Sequence, residues 1–383
     1  MNIAIIDSMD LGKVAPGGTA EYIRNVILYG CEHSFTLYGA CEVGKCEFGK
    51  EYRICKDGLD YKFIPISDNA KRPISLYYGI SLRKYLKELE KFDLIISQRV
   101  EFTVILGLNK NLTDKIVGLI HGSSVYTTLH WGKIKSNIYF QIEKKAINIA
   151  NKTFIVLRRK EFGVPYYKEK YKKAAKKIDY FRIPIDMQMF HSSSRCEARE
   201  ILELDTKSFI VMFGGRVVND PKRVFLFPQI LRRLVKKNSF TKFLLVGDGE
   251  DRETLLHLFD REGLMENVIN VGQVHDRKKL ALYLNACDVN INISEFEGTC
   301  TSSLEAICCG IPVVSTDVGD INFFVNNGNN GYVVPNNDSE QIVNDVTDAI
   351  IKIQEKRYCM DDQETKKYEV KEAIDEFLNK IIV

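Results

Sequence analysis

The amino-acid sequence predicts an α/β protein built from two Rossmann-like domains, and three observations lead to this prediction. The chain has 383 residues, which is more than one hydrophobic core usually serves. Runs rich in Val, Ile and Leu alternate with segments of helical period, as in parallel sheets that helices cover on both faces. The charge also changes along the chain. Residues 1–190 hold 31 Lys and Arg against 20 Asp and Glu, a net charge of +11, whereas the remainder has a net charge of −8.

The first half of the chain alternates between strands and helices. Apolar runs predict strands at residues 2–6, 34–38, 93–97, 115–120, 153–157 and 179–184. Helical spacing predicts helices at residues 19–30, 75–91 and 136–150. The opening MNIAIID is interpreted as the first strand, because it has neither the cationic start nor the long apolar core of a signal peptide.

The second half repeats this pattern. Strands are predicted at residues 209–215, 242–249, 268–272, 288–294 and 311–317, and helices at 222–237, 250–263, 276–286 and 302–309. A last helix, residues 366–383, carries an apolar stripe and is expected to pack back on the first domain. We therefore expect an N-terminal domain at 1–187, a C-terminal domain at 188–365 and the returning helix at 366–383.

The composition excludes several classes of protein. With 45% hydrophobic and 27% charged residues, the chain is globular rather than disordered. No stretch approaches the ~20 apolar residues of a membrane-spanning helix. The ten cysteines include no C-x-x-C, and adjacent Cys308 and Cys309 are predicted to be small core residues of a helix. These features predict a cytoplasmic location.

Ligands of parallel sheets bind beyond the carboxyl ends of the strands, so the loops there are informative. The segment APGGTAEYI (15–23) places Gly17 and Gly18 after the first strand, where backbone N–H groups can approach a ligand closely. The segment GGRVVNDPKR (214–223), here called the cationic loop, places Arg216 and Lys222 after a strand. Two such cations suit a diphosphate, and a surface loop is the alternative.

The segment EFEGTCTSSLEA (295–306) carries two carboxylates eight positions apart, Glu297 and Glu305, around small residues. One explanation is a helix capping box, in which Glu305 bonds the backbone of Ser302. The other is a ligand site: the N–H groups of 298–304 face a phosphate at a helix N-terminus, and the carboxylates accept hydrogen bonds from sugar hydroxyls. A cap does not explain Glu297 or the cationic loop, so the ligand site is favoured.

These segments resemble a known family. The stretch from Glu297 to Glu305 is similar to the E-x7-E signature of the family-4 retaining glycosyltransferases, and CGIPVVSTDVGD (309–320) and the cationic loop resemble its neighbouring motifs. In the first half, GGTAEYI, GLIHGSS and KKIDYFRIPIDMQMF are also similar to family segments. The resemblance implies a GT-B fold, two Rossmann-like domains facing each other across a cleft, and an enzyme of bacterial cell-surface polysaccharide synthesis.

The resemblance also implies roles for individual residues. Glu305 would hold the ribose hydroxyls of a nucleotide, and Glu297 the hydroxyls of the transferred sugar. Arg216 and Lys222 would neutralise the leaving diphosphate. His121 would lie near the reacting carbon and the acceptor, where its position at the end of the strand KIVGLI also favours a functional role. The remaining donor-binding positions implied are Gly17, Gly18, Val274, Gly298, Thr299, Cys300, Thr301, Ser303 and Leu304.

The implied reaction is transfer of a sugar from a UDP- or GDP-sugar to a hydroxyl of a glycan or lipid-linked acceptor. No cofactor and no metal are expected, because the chain contains no Asp-x-Asp and side-chain cations face the diphosphate. Two alternatives stay open, a nucleotide-sugar epimerase of the same fold and a non-catalytic sugar-binding protein. The basic segments 157–160 and 168–177 predict contact with an anionic membrane at the inner face of the plasma membrane, or else form a solvated face. No nucleic-acid partner is expected.

Overall fold

A computed structural model describes residues 1–9, 18–56, 58–122, 124–128, 131–356 and 369–382. The chain divides into two units, an N-terminal unit of Met1–Pro184 with Val370–Val383, and a C-terminal unit of Ile185–Glu369. The sequence placed this boundary three positions later, after residue 187. Across the described ranges, no helix is both long enough and apolar enough to cross a bilayer.

The N-terminal unit is organised around one sheet. In its described part this sheet has eight strands in the order β3-β4-β2-β1-β5-β6-β7-β8, and all neighbours are parallel except the antiparallel pair β3 and β4. The strands are β1 (Asn2–Ile6), β2 (Ser34–Cys41), β3 (Tyr52–Lys56), β4 (Leu59–Asp68), β5 (Leu94–Ser97), β6 (Ile116–Ile120), β7 (Lys152–Ile155) and β8 (Ile178–Tyr180).

Helices cover both faces of this sheet, because the apolar side chains of a strand point alternately to its two faces. Ile3 and Ile5 of β1 pack in a core with α1 and α14, whereas Ala4 and Ile6 pack in a second core with α2 and α3. The helix α2 contacts α3, and α3 contacts α5. The helices are α1 (Gly18–Tyr29), α2 (Ile74–Leu82), α3 (Val100–Leu106), α4 (Ser124–Thr127), α5 (Lys133–Ile149) and α6 (Val164–Lys170), with α14 (Val370–Ile382) from the end of the chain.

The last helix, α14, packs inside the N-terminal unit. Its Phe377 is fully buried, and the centre of its ring lies 4.9 Å from that of Phe181, 5.1 Å from Phe154 and 5.9 Å from Tyr22. These edge-to-face aromatic contacts join the end of the chain to α1, to β7 and to the residue that follows β8.

The C-terminal unit contains a second, fully parallel sheet. Its described strands follow the order β11-β10-β9-β12-β13-β14. They are β9 (Phe209–Gly214), β10 (Thr241–Val246), β11 (Val268–Gly272), β12 (Val289–Asn292), β13 (Val313–Thr316) and β14 (Gly331–Val334). The helices are α7 (Arg195–Ile201), α8 (Asn219–Lys222), α9 (Phe227–Lys237), α10 (Arg252–Arg261), α11 (Arg277–Ala286), α12 (Thr301–Cys308) and α13 (Ser339–Glu355).

Several elements differ from the sequence prediction. The strands β3, β4 and β14 and the helices α3, α4, α6, α7 and α13 were not predicted. The helix predicted at 75–91 ends at Leu82 and continues as 3-10 turns, and the one predicted at 222–237 is divided between α8 and α9. Cys308 and Cys309 are buried and unbonded, as predicted, but Cys41 and Cys46 form a disulfide that was not anticipated.

Candidate active site

The cationic loop is fixed by its neighbour, the loop after β10. A Cβ atom added to Gly247, whose φ is +141°, would lie 1.8 Å from the carbonyl oxygen of Gly215, and one added to Gly249 would lie 2.2 Å from that of Val217. The amide of Val217 donates to the carbonyl of Asp248 at 2.9 Å. Only glycine permits backbones to approach this closely, so these two glycines serve the geometry of the loop.

The end of the cationic loop carries Lys222, the last residue of α8. The Lys222 ammonium forms an ion pair with the Glu297 carboxylate, and both side chains are largely buried. The same Oε1 atom of Glu297 accepts a hydrogen bond of 2.7 Å from the Ser294 hydroxyl. Arg216, by contrast, is exposed. The structure therefore brings two of the predicted site residues into direct contact and leaves the third at the surface of the same loop.

Beyond Glu297, the chain passes close to the loop that follows β13. Gly319 has a φ of +51°, and a Cβ atom there would lie 2.0 Å from the carbonyl oxygen of Gly298. A side chain at residue 319 would displace the backbone at Gly298, so the glycine of TDVGD holds the segment after Glu297 in place. Thr299 and Thr301 are half-buried along this segment.

The helix α12 begins at Thr301, and its N-cap residue, Cys300, makes no capping hydrogen bond through its side chain. Ser302 therefore lies inside the helix, and the capping box that the sequence offered as an explanation of Glu305 is wrong. The Ser303 hydroxyl is fully buried and has no hydrogen-bond partner among the described residues. The Thr301 amide donates to the Thr299 carbonyl at 2.8 Å, whereas the Ser302 and Ser303 amides, also in the first turn, have no partner within a helix and so can bind an anion.

The Leu304 amide is not available for its predicted contact with the donor, and the Cys300 side chain is part of the core. The Leu304 amide donates to the Cys300 carbonyl at 3.0 Å, and the Leu304 side chain is buried in the core. Since this N–H is already bonded within the helix, it is not available to a phosphate. The Cys300 side chain is 2% exposed and lies 3.8 Å from the Val318 carbonyl. Burial raises the pKa of its thiol well above the ordinary value, so Cys300 is a neutral core residue.

Glu305 binds a cation that the sequence analysis missed. The Arg277 guanidinium donates to Oε1 of Glu305 at 2.8 Å, and the carboxylate side chain is only 5% exposed. Arg277 is the first residue of α11, directly after the N-cap Asp276, and its guanidinium lies 4.7 Å from the centre of the Phe190 ring. Val274 is half-buried in the loop between β11 and this helix. Arg277 begins the helix that follows the carboxyl end of β11, and this position was the signal that could have identified it.

A second polar cluster lies in the N-terminal unit, at the carboxyl ends of the adjacent strands β1, β5 and β6. It consists of Asp7, Gln98, Arg99 and His121, which directly follow these strands, and we call it the N-terminal polar cluster. His121 Nε2 lies 2.5 Å from Gln98 Oε1, and the His121 ring packs against Tyr22 with 5.5 Å between centres. The Gln98 Nε2 atom is buried without a hydrogen-bond partner in the described structure.

Burial sets the protonation of this cluster. Burial raises the pKa of Asp7 from 3.8 to about 6, although the Arg99 cation and hydrogen bonds from Ser8 oppose the shift. Burial, together with the nearby Arg99 cation, lowers the pKa of His121 from 6.5 to about 4. At neutral pH His121 is therefore neutral and Asp7 is mostly ionised. The sequence singled out His121 alone, although its three partners each end or follow an apolar run.

The segment APGGTAEYI (15–23), which carries the two predicted glycines, is only partly described. Gly17 lies outside the described residues, and Gly18 is the first residue of α1, which follows β1. Of the His, Cys, Asp and Glu side chains that the structure describes, no three are grouped so that they could hold a metal ion.

The chain is similar to curated proteins and, with lower sequence identity, to solved structures. The chain is 31% identical over 311 residues to the N-acetyl-alpha-D-glucosaminyl L-malate synthase of Bacillus anthracis. The alignment covers 76% of this chain and 78% of that protein. It is 28% identical over 134 residues to the poly(ribitol-phosphate) alpha-N-acetylglucosaminyltransferase of Staphylococcus aureus (strain COL), covering 34% of this chain and 26% of that one. Three of the curated relatives, among them the Staphylococcus protein, are matched over only 26% to 37% of their own length.

A solved structure shares the fold. Alr3699/HepE of Anabaena, in complex with UDP and glucose, superposes with a TM-score of 0.72 at 16% identity, covering 100% of this chain and 99% of that one. This match confirms the predicted GT-B fold class. The sequence profile of the glycosyl transferases group 1 matches residues 194–367, which contain the cationic loop, Glu297 and Glu305. Together with the Bacillus alignment, it confirms the resemblance, and the chain belongs to the glycosyl transferases group 1 family.

Proposed function

We propose that the protein transfers a sugar, with retention of the anomeric configuration, from a UDP- or GDP-sugar to a hydroxyl of a glycan or lipid-linked acceptor. The observation that carries the proposal is the contact of Lys222 with Glu297 at the carboxyl edge of the C-terminal sheet. A cation for the leaving diphosphate and a carboxylate for sugar hydroxyls are both needed there. Alr3699/HepE, which has the same fold, was solved with UDP and glucose.

The chemistry follows from charge. Breaking the bond between the anomeric carbon and the diphosphate oxygen builds negative charge on the diphosphate and positive charge on the sugar ring. Lys222, Arg216 and the first-turn amides of α12 stabilise the diphosphate, a form of catalysis that commonly supplies the largest share of the rate enhancement. The diphosphate competes with Glu297 for Lys222, and the carboxylate then accepts hydrogen bonds from the sugar. Gly298, Thr299 and Thr301 line the same turn.

The nucleoside is held by a separate pair. Glu305, oriented by Arg277, accepts hydrogen bonds from the ribose hydroxyls, and Val274 borders the base. The Ser303 hydroxyl, which is buried without a partner among the described residues, supplies a hydrogen bond to a phosphate oxygen at the start of α12. Gly17 and Gly18 are also proposed as donor-binding residues, as the resemblance implies.

The acceptor binds at the N-terminal polar cluster. An acceptor hydroxyl attacks the anomeric carbon on the face that the diphosphate leaves, and its proton passes to a diphosphate oxygen. This route needs no carboxylate nucleophile, unlike retaining glycosidases. Neutral His121 hydrogen-bonds the transferred sugar, and Arg99 binds an anionic group of the acceptor. The name of the Staphylococcus relative, a transferase acting on poly(ribitol-phosphate), supports an anionic acceptor.

The reaction requires neither a metal nor a cofactor in this proposal, because Lys222, Arg216 and the α12 N-terminus already provide positive charge. The enzyme works in the cytoplasm, at the inner face of the plasma membrane, where a lipid-linked acceptor is available. It acts in the synthesis of a cell-surface polysaccharide.

Donor consumption should be measured over a panel of UDP- and GDP-sugars, with and without cell-surface glycan acceptors and in excess chelator. A transferase gives acceptor-dependent release of nucleoside diphosphate that survives the chelator. Conversion of the donor without any acceptor would favour the epimerase instead. Protection of the protein against thermal unfolding by a nucleotide-sugar, with no turnover under any condition, would favour a binding protein.

A further inference from the structure

Two helices of the N-terminal unit expose large apolar side chains. Trp131, which precedes α5, is 43% exposed, and Ile134 and Ile138 of this helix are 79% and 57% exposed. The spacing of four residues places Ile134 and Ile138 on one stripe of α5, and Trp131 lies just before the first residues of this helix. The helix α2 exposes a second group, Leu76, Tyr77 and Ile80. We call these six residues the apolar rim.

Positive charge without acidic residues accompanies the apolar rim in the sequence. Residues 131–142 contain Lys133 and Lys135 and no Asp or Glu. Residues 69–87 contain five Lys and Arg and again no Asp or Glu. The lysines at 71, 133 and 135 are exposed, and the Lys71 ammonium lies 5.8 Å from the centre of the Tyr77 ring.

Topology places both parts of the apolar rim at one edge of the sheet. The helix after a parallel strand starts near the carboxyl end of that strand. This holds for α2 after β4, for α3 after β5, and for α5, which follows β6 and the short α4. The helix α3 contacts both α2 and α5, and its N-cap is Arg99 of the N-terminal polar cluster. The apolar rim therefore flanks this cluster at the same edge.

An acidic residue of α3 lies near the rim. Glu101, in the first turn of α3, is half-buried and interacts with Tyr139 of α5, and Arg99 stands two positions before it. Its charge is therefore offset locally. The stripe on α5 keeps its positive character.

We propose that the apolar rim inserts into the interfacial region of an anionic lipid bilayer, which brings the N-terminal polar cluster against the membrane surface. The Trp, Tyr and Ile side chains suit the boundary between headgroups and acyl chains. The lysines beside them, in segments without acidic residues, suit anionic headgroups. A protein partner would have to be both apolar and strongly acidic. The binding itself does not depend on the proposed function, whereas its purpose, reaching a lipid-linked acceptor, rests on it.

The basic run at 168–177, one of the two segments that the sequence analysis named for a possible membrane contact, lies elsewhere. Lys170 pairs with the buried Glu143, and Lys177 donates to the carbonyls of Asn148 and Ala150. This run leads into the amino end of β8, at the opposite edge of the sheet from α5 Lys133. Two of its lysines thus bind groups within the fold. The run is separated from the apolar rim by the length of the strands.

Trp131 is the only tryptophan of the chain, so its fluorescence reports directly on the rim. The full-length protein is titrated with vesicles of phosphatidylglycerol and phosphatidylcholine, and with phosphatidylcholine alone, at low and high salt. Insertion shifts the Trp131 emission to the blue with the anionic vesicles, protects it from acrylamide and allows quenching by brominated acyl chains. High salt weakens the binding because it screens the lysines.

Ile134→Asp should weaken binding to anionic vesicles at least about tenfold, because it replaces buried apolar area by a charge that the headgroups repel. The matched control is Ile201→Asp, at an isoleucine of the C-terminal unit that is 64% exposed, which should bind like the unchanged protein. Protection by UDP against thermal unfolding, measured separately, should be the same in both variants. It therefore tests nucleotide binding apart from the membrane.

Three results would overturn the proposal. The first is an unchanged Trp131 spectrum with every vesicle. The second is equal binding of the Ile134→Asp and Ile201→Asp variants. The third is a blue shift that depends on protein concentration without lipid, which would assign the rim to self-association.

Discussion

Lys222 and Glu297 lie 75 residues apart in the sequence, and their side chains form an ion pair at the carboxyl edge of the C-terminal sheet. The lysine comes from the loop after β9 and the glutamate from the loop after β12, two adjacent parallel strands. The pair gives each group a partner in a largely buried position. A diphosphate that takes the lysine also frees the carboxylate for the sugar, so one contact couples the two halves of donor binding.

Replacing Lys222 tests this coupling. Lys222→Ala should lower kcat for donor consumption by about 100- to 1000-fold, the usual loss when one preorganised charge contact to a transition state is removed. Arg216→Ala should lower it too, since Arg216 lies on the same loop. The matched control is Lys236→Ala, at the exposed end of α9, which should keep full activity. Donor kinetics of the Arg216→Ala or Lys222→Ala variants equal to those of the unchanged enzyme would refute the phosphate role.

The contact of Arg277 with Glu305 predicts a different effect, on nucleotide affinity rather than on the chemical step. Glu305→Gln keeps the shape but removes the charge that Arg277 binds, and it should reduce protection by UDP against thermal unfolding. Glu305→Ala should also destabilise the fold by about 1–3 kcal/mol, because it leaves the partly buried Arg277 guanidinium without this acceptor. Isothermal titration with UDP and thermal unfolding separate the two effects. Unaltered UDP affinity in the Glu305→Gln variant would remove the ribose role.

The end of the chain should contribute strongly to the stability of the N-terminal unit. Phe377→Ala deletes a fully buried ring that packs against three others, and such truncations cost about 3–5 kcal/mol. Phe240→Ala, in an exposed loop of the C-terminal unit, is the control and should cost less than about 0.5 kcal/mol. Denaturant unfolding of both variants gives the comparison. A cost for Phe377→Ala as small as that of the control would show that α14 is not part of this core.

The sequence predicted most of the fold because buried parallel strands are long apolar runs, and β1, β9 and β10 fall close to their predicted positions. It missed β3 and β4, where the outer strand β3 (Tyr52–Lys56) is half-buried or exposed and lacks such a run. It also missed α13 (Ser339–Glu355). The apolar stripe of this helix is clear in the structure, but its sequence follows the last motif that was recognised, which ends at residue 320.

The site was predicted unevenly for a physical reason. Lys222, Glu297 and Glu305 stand in local motifs whose spacing is visible in the sequence. Arg277, Asp7 and Gln98 become meaningful only when the sheet brings their strand ends together. The capping box at Ser302 was a local pattern that tertiary structure overrode, because Glu305 binds Arg277 instead.

The N-terminal polar cluster predicts two opposite pH dependences. The pKa of Asp7 is raised to about 6 from 3.8, so the folded protein binds the proton that the unfolded chain releases. The free energy of unfolding therefore falls as pH rises between about 4 and 6, by about 3 kcal/mol from Asp7. The pKa of His121 is lowered from 6.5 to about 4, so the unfolded chain binds the proton first. The contribution of His121 to the free energy of unfolding is fully present above pH 6.5. It is lost as pH falls to about 4, and the loss is similar in size to the change from Asp7.

In the unchanged protein the two contributions largely cancel over this interval, and single substitutions should reveal them. Asp7→Asn leaves the His121 contribution, so the stability of this variant relative to the unchanged protein should rise with pH from about 4 to 6. His121→Gln leaves the Asp7 contribution, so its relative stability should rise as the pH falls from about 6.5 to 4. Urea unfolding across these pH values measures both slopes, and the double variant should be nearly flat. Parallel profiles for the two single variants would contradict the assigned protonation states and with them the neutral His121 that the proposed sugar contact requires.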